Sequence, residues 1–133
     1  VGNIADLSDS AVPYLISLAK NGNADAQEEL YKVVGNNYHD ELALDLKTIE
    51  IKSSGDIRKF NYSHTLAANA IYDYYLSLDE NGAKIFANHS AIADYDKYYY
   101  TDEDTYCKMS DDSYSETTYK LNKATGLYEV SKW

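Results

Sequence analysis

Tyrosine is the dominant aromatic residue of this chain, and its distribution constrains how the second half can fold. There are 15 Tyr against 2 Phe and 1 Trp, and eleven of the tyrosines lie from Tyr72 onward. A tyrosine combines an apolar ring with a hydroxyl that needs a polar partner, so it suits half-buried sheets and contact surfaces. Because neighbouring side chains of a strand point to opposite faces, Tyr98, Tyr99 and Tyr100 cannot all face inward. Either both faces of such a sheet are covered or aromatic surface is exposed.

From Ile49 onward the pattern favours strands joined by short turns. The clearest case is 70–78, where Tyr72, Tyr74 and Leu76 alternate with polar residues and predict a strand with one wet face. We expect 79–82 to form a hairpin turn and 84–93 to return as its partner strand. Short connections join antiparallel neighbours, so the whole segment predicts a meander of about six to eight strands. The other predicted strands are 49–52, 57–63, 97–101, 105–109, 114–121 and 127–132.

The first third of the chain predicts two helices. Ser10 suits an N-cap, and Pro13 falls in the first turn, where its missing N–H costs little. Asn21-Gly22 is a stop signal, and Asn23 can cap a second helix. The segment LAKNGNADAQEELYKVV, residues 18–34, resembles one unit of a Sel1-type, tetratricopeptide-like repeat. The resemblance covers about one unit and implies a helical hairpin, and we infer no function from it.

These patterns together predict an α+β fold in a single domain spanning 1–133. Its helical part covers 8–46 and its β-meander covers 47–133. We expect the N-terminal helical hairpin to pack on the antiparallel meander, which forms either a curved sheet or a small barrel. Residues 39–48 fit both a strand and a short helix, and the pattern leaves this choice open.

The charge of the chain excludes some classes of partner. There are 22 acidic and 12 basic residues, giving a formal net charge of -10. Arg58 is the only arginine and no dense basic run exists, whereas binding to phosphate backbones needs clustered Lys and Arg. We therefore expect no nucleic-acid partner. No apolar run reaches transmembrane length. The acidity serves solubility or attracts a basic partner.

The residues that could carry chemistry form no recognisable motif. His39, His64 and His89 lack metal-ligand spacing, and the single Cys107 permits neither an intrachain disulfide nor a Cys-based zinc site. The acidic segment 94–104 offers oxygen ligands for Ca²⁺, but tyrosines stand where an EF-hand loop needs oxygen and Gly. There is no phosphate-binding loop and no nucleophile elbow. We therefore predict no catalytic residue, no metal and no cofactor.

Two further features bear on where the protein acts. The sequons Asn61-Tyr62-Ser63 and Asn88-His89-Ser90 are about as many as chance gives, so they are not evidence of secretion. Because the chain begins with Val1 rather than Met, we expect that a leader, a tag or the rest of a larger protein was removed.

These observations favour a non-enzymatic binding or assembly domain that is exported or displayed at a cell surface. Tyrosine provides large, rigid and amphipathic contact area. The expected partner is a protein or a second copy of the chain, and carbohydrate would also suit the tyrosines. The predicted binding residues are Tyr95, Tyr98, Tyr99 and Tyr100.

Two alternatives remain open at this stage. The first is a cytosolic acidic inhibitor, such as an immunity protein that neutralises a basic toxin, because acidity steers association with a basic partner. The second is an enzyme or small-ligand carrier with a pocket between the helices and a curved sheet. For that alternative, the first residues to test are His64, Asp73 and Tyr75.

Overall fold

In the part of the chain that the structure describes, the fold combines four α-helices with two antiparallel sheets. The computed structural model describes residues 9–39, 41–53, 62–94, 97–102, 104–109 and 116–131. The predicted α+β class is confirmed, with a helical hairpin at the front and strands behind. After a 3-10 turn at Asp9–Ala11, the elements are α1 (Val12–Lys20), α2 (Ala24–Asn37), β1 (Leu42–Asp45), β2 (Glu50–Ser53), α3 (Tyr62–Ser77), α4 (Glu80–Ile92), β3 (Tyr98–Asp102), β4 (Thr105–Met109), β5 (Glu116–Asn122) and β6 (Leu127–Val130).

The α1–α2 hairpin forms where its local signals predict it. Asn23 caps α2, since its side-chain oxygen accepts a hydrogen bond from the backbone N–H of Ala26 at 3.1 Å. Gly22 takes the left-handed conformation between the helices, with φ at 86°. Ser10 lies in the 3-10 turn, and Ala11 rather than Ser10 occupies the N-cap position of α1.

The strands predicted at 70–78 and 84–93 are wrong, because both segments are helical. In α3 the buried side chains include Ala67, Ile71 and Tyr74, which follow helical spacing and form one inward face. The alternation of tyrosines that suggested a strand does not match burial, since Leu76 is exposed. Of the predicted strand at 57–63, residues 57–61 lie outside the described residues and 62–63 begin α3.

The predicted hairpin turn at 79–82 is instead the start of α4. The side-chain oxygen of Asp79 accepts a hydrogen bond from the backbone N–H of Gly82 at 2.7 Å, which caps the helix. Glu80 adds a negative charge to the first turn, where the helix dipole favours it. The same residues that resemble a turn therefore initiate a helix.

The described strands form two separate sheets. β1 and β2 make an antiparallel hairpin in which Leu42 pairs with Ser53 and Asp45 with Glu50, so the central part of 39–48, residues 42–45, is a strand. β3, β4, β5 and β6 form a four-stranded antiparallel meander in chain order. The meander predicted over 47–133 thus holds for 98–130 and is interrupted earlier by α3 and α4. Its curvature stays a prediction.

Helix α4 connects the helical layer to both sheets. It contacts α2 and α3 in the helical layer, β1 and β2 of the first sheet, and β6 of the second sheet. The core around it is apolar and includes Leu30, Val34 and Ile71 from the helices together with Leu42 and Ile51 from the first sheet.

The crossing of α2 and α4 depends on a glycine. A Cβ atom on Gly35 would clash with the backbone oxygen of Ser90 and would lie 3.2 Å from the backbone nitrogen of Asp94. Neither backbone atom can move without shifting α4.

We therefore expect Gly35→Ala to lower the free energy of unfolding by about 1–3 kcal/mol, which is typical of overpacking. Urea denaturation followed by circular dichroism measures this change. Helix propensity alone would favour Ala by about 1 kcal/mol. A variant as stable as the wild type or more stable would contradict this close packing.

Candidate functional site

Three of the four tyrosines predicted to bind a partner lie in β3, and Tyr95 lies outside the described residues. Tyr98 is only 7% exposed, whereas Tyr99 is 43% and Tyr100 is 59% exposed. The expectation that the three consecutive tyrosines cannot all face inward is confirmed. Exposed aromatic surface is therefore provided by Tyr99 and Tyr100.

In the part of the chain that the structure describes, strand β3 is an edge of the four-stranded sheet. It pairs there only with β4, and no described strand pairs with its outer side. The backbone N–H of Tyr98 donates to the carbonyl of Asp94 at 2.9 Å, which anchors the start of the strand. An edge strand presents backbone donors and acceptors to which another chain can pair.

The opposite edge of the sheet, β6, is covered by α4. The side-chain amide of Asn88 donates to the carbonyl of Tyr128 at 2.9 Å, and its oxygen accepts from the N–H of Tyr128 at 2.7 Å. Asn88 thus makes the pair of hydrogen bonds that a neighbouring strand would make. Since Asn88 is 1% exposed, the sequon Asn88-His89-Ser90 does not present its acceptor nitrogen at the surface of the folded chain. The other sequon begins at Asn61, outside the described residues.

A pocket of about 420 Å³ lies next to β3. It is bounded by β1 and the turn after it, by the end of α4, and by the face of the sheet that carries Tyr98. Its volume is within the range of small-molecule sites. The lining side chains combine lysines, two aspartates and an apolar wall, and they belong to His39, Ala43, Leu44, Asp45, Leu46, Lys47, Ala91, Asp94, Lys97, Tyr98, Lys108 and Tyr119.

The two aspartates of the pocket already have partners. The side-chain oxygen of Asp45 accepts from the backbone N–H groups of Lys47 at 2.9 Å and Thr48 at 3.4 Å. Asp94 is buried, and its Oδ2 lies 3.6 Å from Nζ of Lys97.

The ammonium of Lys108 lies 5.9 Å from the centre of the Tyr98 ring. The pocket therefore carries three ammonium groups against two engaged carboxylates.

The phenol of Tyr98 stays neutral in this setting. Burial and the neighbouring Tyr119 raise the pKa of Tyr98 well above its usual value. The two rings pack edge to face with centroids 5.4 Å apart. They therefore form an aromatic wall.

A second polar cluster surrounds His64, at the start of α3. Its Nδ1 lies 2.8 Å from Oδ1 of Asp9, and its Nε2 lies 3.1 Å from Oε2 of Glu41. The Tyr38 hydroxyl donates to the same oxygen of Asp9 at 2.6 Å, and its ring stacks on His64 with centroids 4.4 Å apart. Because carboxylates only accept, both ring nitrogens donate only when His64 is an imidazolium.

The charges of this cluster support one another. Partial burial acts to lower the pKa of His64, but the hydrogen bond with Asp9 and the charges of Glu41 and Asp9 raise it overall. Burial likewise opposes ionisation of Asp9, and hydrogen bonds with Tyr38 and His64 outweigh it and lower the pKa of Asp9. The two carboxylates face opposite nitrogens of the ring, so they do not converge on a common point.

The residues proposed for an enzymatic pocket do not assemble. Asp73 lies nine residues from His64 on the same helix, a rise of roughly 13 Å, and it is exposed. The ring of Tyr75 instead packs near Phe86, with centroids 6.4 Å apart.

His64 contacts Asp9 and Glu41, which are 55 and 23 residues away in the chain. Because these separations are long, no local sequence pattern predicts the contacts.

The other two histidines have separate roles. His39 lines the pocket beside β3. His89 is partly buried, its Nε2 lies 2.7 Å from the carbonyl oxygen of Gly126, and burial lowers its pKa.

The acidic segment 94–104 pairs with lysines in the part that the structure describes. Asp94 contacts Lys97, and Asp104 lies 3.6 Å from Nζ of Lys123. Within the described ranges, no group of three or more His, Cys, Asp and Glu side chains is arranged to hold a metal ion. None of the described helices has the length and apolar character needed to cross a bilayer.

Comparisons with known proteins identify no family for this chain. No protein-family model matches it, and neither does any curated protein or any solved structure. Its function is therefore inferred from the β3 edge, the adjacent pocket and the His64 cluster.

Proposed function

We propose that this chain is a non-enzymatic binding domain that pairs an extended, basic segment of a protein partner with the outer edge of β3. The observation that carries the proposal is the difference between the two edges of the sheet. Asn88 covers β6 with two hydrogen bonds, whereas β3 has no neighbouring strand on its outer side among the described residues. Addition of a strand to such an edge is a recurring mode of peptide recognition.

The side chains at this edge support protein recognition. Tyr99 and Tyr100 are exposed, and the Tyr100 ring is held edge to face against Tyr106 with centroids 5.7 Å apart. A ring fixed in this way loses little conformational freedom when a partner covers it. Tyr98 is buried and therefore supports the strand instead of contacting the partner.

Charge selects the kind of partner. Asp102 and Glu116 are exposed near the tyrosines, and Tyr99 has a side-chain hydrogen bond with Glu116. The chain carries a net charge of -10, which steers a basic partner toward it. A second copy would bring the same negative charge, so repulsion disfavours self-assembly relative to a Lys-rich or Arg-rich partner.

We expect a peptide of alternating Lys and Val residues to bind the wild-type chain, and the double variant Tyr99→Ser, Tyr100→Ser to bind it at least about tenfold more weakly. The variant removes the aromatic contact area but leaves the buried Tyr98 in place. Isothermal titration calorimetry measures the affinity, and a tenfold loss corresponds to about 1.4 kcal/mol. Binding should also weaken as salt screens the charges.

Two controls accompany this experiment. Tyr14→Ser removes an exposed tyrosine from α1, far along the chain from β3, and should leave the affinity unchanged. A peptide of alternating Glu and Val should not bind. If the β3 double variant binds as the wild type does, or Tyr14→Ser weakens binding equally, the proposed site is wrong.

A further inference from the structure

We infer that the pocket beside Tyr98 binds a small organic anion that has a flat ring and a single carboxylate. This inference is independent of the proposed peptide binding, since neither Tyr99 nor Tyr100 lines the pocket. It follows from the shape, the lining and the charge of the pocket.

The shape and the lining favour a ring. The pocket holds about 420 Å³ and is bounded by three separate elements, which is enough space for a ligand of one or two rings. Tyr98 and Tyr119 form its aromatic wall. Leu44, Leu46 and Ala91 add apolar surface. Flat apolar groups pack well against such walls in offset or edge-to-face arrangements.

The charge favours an anion. Lys47, Lys97 and Lys108 line the pocket, although the chain as a whole has 22 acidic and 12 basic residues. Lys97 is engaged by Asp94. Among the described residues, no carboxylate forms an ion pair with Lys47 or Lys108. These two ammonium groups are therefore the donors that a ligand carboxylate would meet.

The number of charges favours one carboxylate over a polyanion. The pocket has three ammonium groups, but Asp45 and Asp94 also line it. A ligand with several negative charges, such as a polyphosphate, would be repelled by these carboxylates at close range. A monocarboxylate leaves the local charge nearly balanced.

The test uses benzoate, benzamide and inorganic phosphate as probes in NMR titrations of the isotope-labelled chain. We expect benzoate to cause saturable shifts of amide signals from residues 44–47, 97–98, 108 and 119. Benzamide has the same ring without the charge and should bind at least tenfold more weakly, and phosphate should not saturate the same signals. Equal binding of benzoate and benzamide, or shifts that map elsewhere, would overturn the inference, as would the absence of saturable shifts with benzoate.

Matched variants separate charge from packing. Lys47→Met with Lys108→Met keeps the length of both side chains and should weaken benzoate binding at least tenfold. Lys20→Met with Lys84→Met removes two lysines from helices outside the pocket lining and should leave it unchanged. The Tyr99→Ser, Tyr100→Ser variant should retain benzoate binding, so failure of this inference is distinguishable from failure of the proposed peptide site. Unchanged binding in the Lys47, Lys108 variant would refute the role of these two lysines.

Discussion

Replacing Asn88 by Asp is expected to lower the free energy of unfolding by about 3–5 kcal/mol at neutral pH, the cost of leaving a buried charge without its partner. The two side chains have nearly the same shape, so packing is preserved. The Asp oxygen can still accept from the N–H of Tyr128. The other Asp oxygen, however, takes the place of the Asn88 amide nitrogen, which in the wild type donates to the carbonyl of Tyr128 at 2.9 Å. In the variant, two acceptors therefore face each other.

The pH dependence of this variant distinguishes lost hydrogen bonding from a packing defect. Burial raises the pKa of a carboxyl, and a protonated Asp regains an O–H donor. The pKa of the introduced carboxyl in the folded variant would then lie above its unfolded value. The destabilisation should be smallest below the ordinary Asp pKa of about 4 and should grow as the pH rises.

The matched control is Asn81→Asp on the same helix. Asn81 is exposed in the first turn of α4, where a negative charge is favourable. Urea denaturation at neutral and acidic pH measures both variants, and hydrogen exchange at Tyr128 reports on β6 directly. An Asn88→Asp variant as stable as the wild type at neutral pH would show that α4 does not hold the edge of the sheet.

The sequence predicts the parts of this fold whose signals are local. Asn23 and Gly22 determine the α1–α2 hairpin through a cap and a left-handed turn, both of which act within a few residues. The order of β3 to β6 in the meander follows from the short connections between consecutive strands. In the α1–α2 hairpin, the residues that form the sequence pattern also make the contacts.

The sequence pattern gives a wrong prediction where tertiary packing decides between the side-chain period of a strand and that of a helix. Tyr72 and Tyr74 are spaced like strand residues, and tyrosine is common in strands. The inward face of α3 is nevertheless set by Ala67 and Ile71, which pack in the shared helical core. Asp79 fits the sequence pattern of a hairpin turn as well as that of a helix N-cap. Only the formation of α4 after it shows that it acts as the cap.

The candidate sites also differ in how far the sequence predicts them. The exposure of Tyr99 beside the buried Tyr98 could be predicted, because it follows from strand geometry alone. The pocket could not, since Lys47 follows β1, Lys97 precedes β3 and Lys108 belongs to β4. The His64 cluster likewise depends on contacts between distant segments.

His64 should stabilise the fold most strongly when it is protonated. It joins the 3-10 turn, through Asp9, to Glu41 before β1 and to α3. We expect His64→Gln to lower the free energy of unfolding by about 2 kcal/mol near pH 6, since hydrogen bonds to charged groups contribute roughly 1.5–3 kcal/mol. Urea denaturation measures the difference. His39→Gln is the control, because His39 is exposed and takes no part in the cluster.

The sign of the pH dependence follows from the two shifted pKa values. The folded pKa of His64 is raised, so its contribution is complete below the ordinary His pKa of about 6.5 and is lost as the pH rises through the folded pKa. The folded pKa of Asp9 is lowered, so its contribution is present above about 3.8 and is lost as the pH falls through the folded value.

His89 acts in the opposite direction and must be separated from His64. Burial lowers the pKa of His89, so protonation of that residue at low pH opposes folding. The informative quantity is therefore the difference in unfolding free energy between the wild type and His64→Gln, in which the contribution of His89 cancels. This difference should be largest between about pH 4 and 6.5 and should shrink at higher pH.

NMR titration of the imidazole should give His64 a pKa above about 6.5, and this pKa should fall in the double variant Asp9→Asn, Glu41→Gln. Two results together would contradict this interpretation: a difference in unfolding free energy that does not change with pH, and an ordinary pKa for the His64 imidazole. They would show that the two carboxylates do not hold His64 as an imidazolium.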